Sequence, residues 1–157
     1  MKILMVCMGN ICRSPTMQGC LQAAVAATPA LAGRVEVDSA AIGAWHVGNP
    51  PDPRAIKAAA AHGIDIAGQR ARQLQREDFA AFDLILFADA DTLRDGRARA
   101  EGQGSAQLAR HIEWAGVDGA PDLADPYYGD TADFDAVFQR IVTASQAIVQ
   151  RLLRRQG

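Results

Sequence analysis

With 157 residues and a formal net charge of −2, the chain has the length of one domain and no basic excess that would point to nucleic acid or an anionic membrane surface as partner. A chain of this size buries roughly two-thirds of its unfolded surface, so its core needs no disulfide or metal staple. The run before Cys7 is too short for a secretory leader, no apolar stretch approaches the ~20 residues of a membrane span, and the three cysteines Cys7, Cys12 and Cys20 read as free thiols of a reducing compartment, the cytoplasm.

The first apolar run, Ile3–Val6, predicts a short buried strand. Cys7 follows at once. Ser14 as N-cap and Pro15 at the first helical position then predict a helix to about Ala27, with Met17, Leu21, Ala24 and Val25 on one face. Val35–Val37 predicts a second strand. Pro53 to Ala61 predicts an Ala-rich helix ended by Gly63. Leu84–Phe87 predicts a third strand. Asp89 or Asp91 can cap a helix running through Leu93, whose extent is obscured by Gly96, Gly102 and Gly104. His111-Ile112-Glu113 is a weaker candidate for a fourth strand. Phe134, Phe138, Ile141, Ser145, Ile148 and Leu152 recur at helical spacing and predict a long amphipathic terminal helix. The alternation of strands and helices predicts an α/β fold, an open parallel sheet with helices on both faces, with residues 1–157 as a single domain. Ligands of such sheets bind beyond the carboxyl ends of the strands, which is where Cys7 falls.

Cys7 and Arg13 bracket Met8-Gly9-Asn10-Ile11-Cys12 between the first strand and the first helix. Five residues are enough to curl a backbone around the three non-bridging oxygens of a phosphoryl group with N–H groups pointing inward. Gly9 is expected to supply a position free of the positive-φ penalty, and Asn10 tolerates left-handed geometry and can fasten the loop. Arg13 offers a planar fork for two phosphate oxygens, which Lys cannot match. The helix N-terminus, Arg13 and the Ser14 hydroxyl all favour a nucleophilic thiolate at Cys7. A cysteine at a strand end is by itself most often a core residue. The loop, Arg13, Ser14 and Pro15 in register point to chemistry instead.

Cys7-Met8-Gly9-Asn10-Ile11-Cys12-Arg13-Ser14-Pro15 resembles the phosphate-binding loop of the low-molecular-weight protein tyrosine phosphatases. Asp38-Ser39-Ala40-Ala41-Ile42 with Trp45, and Pro51-Asp52-Pro53-Arg54-Ala55, resemble the family's second strand and specificity loop. His62-Gly63-Ile64, Arg70-Ala71-Arg72-Gln73-Leu74, Phe82-Asp83-Leu84-Ile85-Leu86 and Asp125-Pro126-Tyr127-Tyr128-Gly129 also fit, so the likeness runs through nearly the whole chain in order. It implies a four-stranded sheet of the kind described. It also implies hydrolysis of protein phosphotyrosine and small aryl phosphates through a phosphocysteine, with phosphate as product and inhibitor, by a monomer or weak dimer.

Within that resemblance, Cys7 is the expected nucleophile, Arg13 and the loop amides the phosphate ligands, and Asp125 the general acid that protonates the leaving phenolate and then activates water. No metal or cofactor is called for, because Arg13 and the ring of amides supply the charge stabilisation. Trp45, Tyr127 and Tyr128 lie in Gly/Pro-rich loops and are expected as crevice walls, with local loop packing as the plainer reading. Ile11 is expected to line the same crevice. In relatives that act on phosphoarginine this place resembles Thr, so Ile11 favours phosphotyrosine. Ser39 and His62 resemble a supporting shell tied to Asn10, while His62 also reads as a helix-end histidine. Cys12 is either a small apolar filler or a redox partner that captures an oxidised Cys7. His46 and His111 read as surface or packing residues, Asp89 points to the active end without an assigned role, and Arg70, Arg72 and Arg76 read as a solvated, salt-bridged face. The rival activities on this scaffold are a protein arginine phosphatase, opposed by Ile11, and a thiol-coupled arsenate reductase, which needs redox cysteines after Cys20 that the chain lacks.

Overall fold

The computed structural model describes residues 1–156. Four strands form one all-parallel sheet in the order β2-β1-β3-β4: β1 (Lys2–Cys7), β2 (Glu36–Ala41), β3 (Leu84–Phe87) and β4 (Gln107–Arg110). Successive side chains of a strand point to opposite faces, and both faces here are apolar and covered. Ile3, Met5 and Cys7 of β1 pack toward α1 (Arg13–Ala26), α2 (Pro53–Ala60), α5 (His111–Ala115) and α6 (Thr131–Gln156). Leu4 and Val6 pack toward α3 (Asp78–Ala81) and α4 (Ala90–Ala100). The α/β class, the four parallel strands and the helices on both faces agree with the sequence reading. Among the described residues, no helix is long and apolar enough to cross a membrane.

Cys7 pairs in register with Ala41 of β2, and Val6 with Phe87 of β3. The chain leaves β1 for β2 on one side and returns to β3 on the other. That reversal opens a crevice above the carboxyl end of β1, and the Cys7 loop fills its floor.

Local chemistry explains the helix starts that frame this crevice. Asp52 caps α2 by accepting from Arg54 N at 2.8 Å, with Pro53 in the first turn. Asp89 caps α4: its Oδ1 accepts from Thr92 N at 2.8 Å, and Asp89 N donates back to Thr92 Oγ1 at 3.4 Å. Helix α4 passes straight through Gly96, where a Cβ would come within 2.3 Å of the Phe87 ring. Glycine there is a packing requirement that outweighs its poor helix propensity.

Several elements differ from the expectation. β2 is Glu36–Ala41 and overlaps the expected Val35–Val37 only at its start, because Asp38 and Ser39 interrupt its apolar pattern, and the one-turn α3 has no counterpart in the expectation. The fourth strand is Gln107–Arg110, and His111-Ile112-Glu113 instead opens α5. An edge strand of four half-exposed residues carries too little apolar periodicity to read, whereas His111 and Ile112 are apolar-contact residues because α5 packs them inside. Helix α1 begins at Arg13 with Cys12 in the N-cap position, so Ser14 lies in the first turn rather than at the cap. Its hydroxyl has another use.

Candidate active site

The Cys7 loop is held from outside by its carbonyls. Ile42 N donates to Cys7 O at 3.0 Å, Gly43 N to Met8 O at 2.9 Å, and Asp52 N to Ile11 O at 2.8 Å. Thr16 Oγ1 donates to Cys12 O at 2.9 Å. In a trans peptide the next N–H points opposite to the carbonyl. The N–H groups of Met8, Gly9, Cys12 and Arg13 are therefore turned away from those outside donors, toward the loop's interior. With the N-terminus of α1 at the same place, the loop is a nest for an anion with three or more oxygens.

Cys7 Sγ sits at the base of this nest, 3.3 Å from Asn10 N, which donates to it. Ser14 Oγ lies 3.1 Å from the sulfur. Ser14 Oγ also accepts from Asn10 Nδ2 at 2.7 Å, which leaves its own proton free to point at the sulfur. Both groups are thus placed to donate to the sulfur of a nucleophile at this position. Asn10 is the keystone of the loop. Its Nδ2 also donates to Ser39 Oγ at 3.0 Å, its Oδ1 accepts from Arg72 N at 3.1 Å, and Ser39 Oγ donates to Gln18 Oε1 at 2.6 Å. Asn10 is also the one non-glycine residue with positive φ among the described residues, at 58°. Gly9 does not have positive φ. Its lack of a side chain serves close approach instead, since a Cβ there would stand 2.9 Å from the His46 ring.

Arg13 is 4% exposed and is oriented on one side by Nη1, which donates to Asp89 Oδ2 at 2.6 Å and to Leu123 O at 3.0 Å. Its Nε and Nη2 edge remains for an anion. Asp125 Oδ2 lies 3.7 Å from Nη2 and is half-exposed at the crevice. Burial alone would lower the Arg13 pKa, but Cys7, Asp89 and Asp125 outweigh it and hold the guanidinium charged. Burial likewise works against the Asp89 carboxylate. The hydrogen bonds from Arg13 and Thr92 prevail, and its pKa falls below the ordinary value.

Cys7, Arg13 and Asp125 share one crevice of about 510 Å³. Met8, Gly9, Ile11 and Cys12 form its floor, and Trp45, Tyr127 and Tyr128 its walls, while Asn10 and Ser14 do not line it. The two tyrosines meet edge to face with ring centroids 4.9 Å apart, and the Trp45 ring lies on Gly43, where any Cβ would collide with it. An apolar slot with an anion nest at its base fits a flat aryl phosphate. The Cys12 thiol is buried beside it, and burial first, then Asp52, Cys7 and Asp125, push its pKa well above the usual thiol range.

Asn10, Ser14 and Ser39 stand directly behind the nest. His62 does not. It stacks on Phe138 of α6 with centroids 4.7 Å apart and faces Gln139, so the helix-end reading describes it and the tie to Asn10 is absent. Arg72 bridges Asp38 and Asp78, as a salt-bridged face should, and its backbone N–H reaches Asn10. Three further residues gain a place that the sequence did not assign. Asp89 holds Arg13, His46 lines the crevice, and Arg54 donates to Tyr127 O at 2.9 Å and Gly129 O at 3.2 Å while stacking on Phe134. For Asp89 a signal existed, since it directly follows the strand paired with the cysteine strand.

A family model described as low molecular weight phosphotyrosine protein phosphatase matches residues 2–156. A low molecular weight phosphotyrosine protein phosphatase of Sus scrofa is 39% identical over 153 residues, covering 96% of this chain and 94% of its own. The low molecular weight protein-tyrosine-phosphatase YfkJ of Bacillus subtilis is 35% identical over 147 residues, covering 94% of this chain and 92% of its own. The YfkJ crystal structure matches with a TM-score of 0.90 at 32% identity over 100% of this chain and 97% of that one. A Drosophila arginine phosphatase structure matches almost as well, with a TM-score of 0.89 at 26% identity over 97% of this chain and 98% of that one. Backbone likeness alone therefore does not choose between a phosphotyrosine ester and a phosphoarginine P–N bond.

Proposed function

The chain belongs to the low molecular weight phosphotyrosine protein phosphatases, and we propose that its phosphotyrosine hydrolysis runs through Cys7, Arg13 and Asp125. The observation that carries this assignment is the Cys7 sulfur at the base of the amide nest, with Arg13 and Asp125 on the same crevice. The Cys7 thiolate attacks phosphorus in line, forming an S–P bond as the P–O bond to tyrosine breaks. Protonated Asp125 gives its proton to the departing phenolate oxygen. The loop amides and the free edge of Arg13 hold the equatorial oxygens through the transition state. Asp125, now a carboxylate, takes a proton from water, which attacks phosphorus and releases phosphate and the Cys7 thiolate. Ser14 donates to the sulfur as it leaves. Free phosphate fills the same nest, so it competes with substrate.

Ile11, Trp45, Tyr127 and Tyr128 select for an aryl ester, because each presents apolar surface where a phosphoarginine would place a charged guanidinium. One sheet with its two covered faces carries all of these residues, which supports a single catalytic domain. Three unpaired cysteines, one of them a nucleophile, support action in the reducing cytoplasm. The deciding experiment compares phosphate release from phosphotyrosine, phosphoserine and phosphoarginine peptides. Phosphotyrosine should lead by orders of magnitude. A lead for phosphoarginine would reassign the substrate class. In the same assay Cys7→Ser should bind phosphate yet release none from substrate, and retained turnover would remove Cys7 as nucleophile.

A further inference from the structure

The segment Ala88–Ala90, just past β3, carries two loads. Asp89 holds Arg13. Its two neighbours hold the loop that bears Asp125: Leu123 N donates to Ala88 O at 2.9 Å, and Ala90 N donates to Asp122 Oδ1 at 3.0 Å. A second donor reaches that same Asp122 oxygen. It is Arg110 Nη1, at 3.1 Å, from the last residue of the edge strand β4. Glu113 aims Arg110 by accepting from its Nε at 2.9 Å. Arg140 of α6 adds bonds to the carbonyls of Asp122 and Asp118 at 3.2 and 3.3 Å. None of Arg110, Glu113, Asp122 and Arg140 lines the crevice.

We propose that Arg110 is a positioning residue for the general acid: through Asp122 it pins the loop three residues before Asp125 and so sets where the Asp125 carboxyl stands over the leaving oxygen. The proposal rests on the role assigned above to Asp125. The loop needs such a pin. Downstream of Asp125 it is held by Arg54, at Tyr127 O and Gly129 O. Upstream, Leu123 N is held by Ala88 O and the Asp122 carbonyl by Arg140, while Leu123 O leans on Arg13. Arg13 is also the phosphate ligand, so its share of the hold shifts whenever the guanidinium engages substrate. The Arg110–Asp122 pair ties the loop to the sheet edge independently of Arg13. Asp122 is half-exposed and Arg110 about a quarter exposed, and exposed ion pairs add little to global stability. The loss of this pair should therefore show in catalysis and barely in unfolding.

The test compares kcat/KM for phosphotyrosine with kcat/KM for an aryl phosphate whose phenol is much more acidic and needs little protonation on leaving. Arg110→Ala should lower the first by about 10-fold, within the reach of a small misplacement of a catalytic group, and the second by less than about 3-fold. Asp122→Ala, which also releases Ala90 N, should lose at least as much with the same leaving-group dependence, the double variant should lose no more than Asp122→Ala alone, and Arg110→Lys should recover part of the loss. The urea midpoint of Arg110→Ala should stay close to the parent's. Equal losses on both esters, no loss on phosphotyrosine, or single losses that multiply in the double variant would overturn the proposal. Asp125→Asn is measured alongside and should show a larger loss with the same leaving-group dependence. If it shows none, the general-acid assignment itself falls. If it shows it and Arg110→Ala does not, only the positioning role falls.

Discussion

Asn10→Ala tests the core of the site. The substitution removes three hydrogen bonds at once, to Ser14 Oγ, Ser39 Oγ and Arg72 N. It also leaves an alanine at φ 58°. Each buried hydrogen bond contributes about 1 kcal/mol net, and a left-handed non-glycine residue costs roughly 1–2 kcal/mol. The sum is a destabilisation of about 4–5 kcal/mol, a large share of the stability of a domain this size but short of unfolding it. The catalytic loss has a separate cause. Without Asn10 Nδ2 on its oxygen, Ser14 is no longer obliged to aim its proton at Cys7, and kcat/KM should fall by about 10–100-fold. Asn10→Gly separates the two effects. Glycine adopts positive φ freely, so it should regain roughly 1 kcal/mol of the lost stability while regaining little activity. Urea unfolding gives the stability difference, and kcat/KM on an aryl phosphate gives the catalytic one. If Asn10→Gly restores activity in step with stability, the side-chain network does not orient Ser14 and the assignment of Asn10 as keystone is wrong.

Ile11→Thr should lower the phosphotyrosine to phosphoarginine ratio of kcat/KM by about 1–3 kcal/mol of discrimination, and an unchanged ratio would remove Ile11 from the specificity wall. Peroxide should inactivate the enzyme reversibly: Cys7 is oxidised to the sulfenic acid, and the neutral Cys12 thiol condenses with it to a Cys7–Cys12 disulfide and water. Bound phosphate should protect, and peptide mapping that finds Cys7 joined to Cys20, or no intramolecular disulfide, would refute that role for Cys12. His111 is fully buried with neither ring nitrogen partnered, and burial, with help from Arg140, lowers its pKa to about 3. The unfolded chain binds that proton below pH ~6.5, so stability should fall as pH drops from there toward 3, by about 2–3 kcal/mol at pH 4.5 from this group alone. His111→Phe should flatten the difference between unfolding midpoints at pH 7 and 4.5, and an unchanged difference would show that His111 is not its source.

The nest was legible in the sequence because its parts are contiguous. Cys7 to Pro15 fold on one another, and the spacing of a thiol, an amide side chain and a guanidinium along nine residues is itself the geometry. The first and third strands are legible because each is a short unbroken apolar run, whereas β2 carries Asp38 and Ser39 inside it and the expected Val35–Val37 catches only its start. The rest failed where a residue's task is set by a distant partner. The local sequence suggests backbone freedom for Gly9, but its task is to admit His46, 37 positions away in the sequence. Ser14 before Pro15 is a local helix-start signal that suggests a cap, yet its hydroxyl answers to Cys7 and Asn10. His62 was tied to the loop by resemblance alone, and Phe138 claims its ring. β4 has too few apolar side chains to announce itself.

Arg13 concentrates the point. Its contacts lie 76 and 110 residues away, at Asp89 and Leu123, and no local pattern encodes them. A buried guanidinium without a partner is costly, so the fold must supply one before any phosphate arrives. Asp89 does this with one oxygen while the other caps α4 at Thr92. A single carboxylate thus locks the Arg13 guanidinium to a helix start at the carboxyl end of β3, beside the strand that carries Cys7. The guanidinium is consequently oriented by the scaffold before any ligand is present, which is the preorganisation that the phosphate-binding role proposed for Arg13 requires.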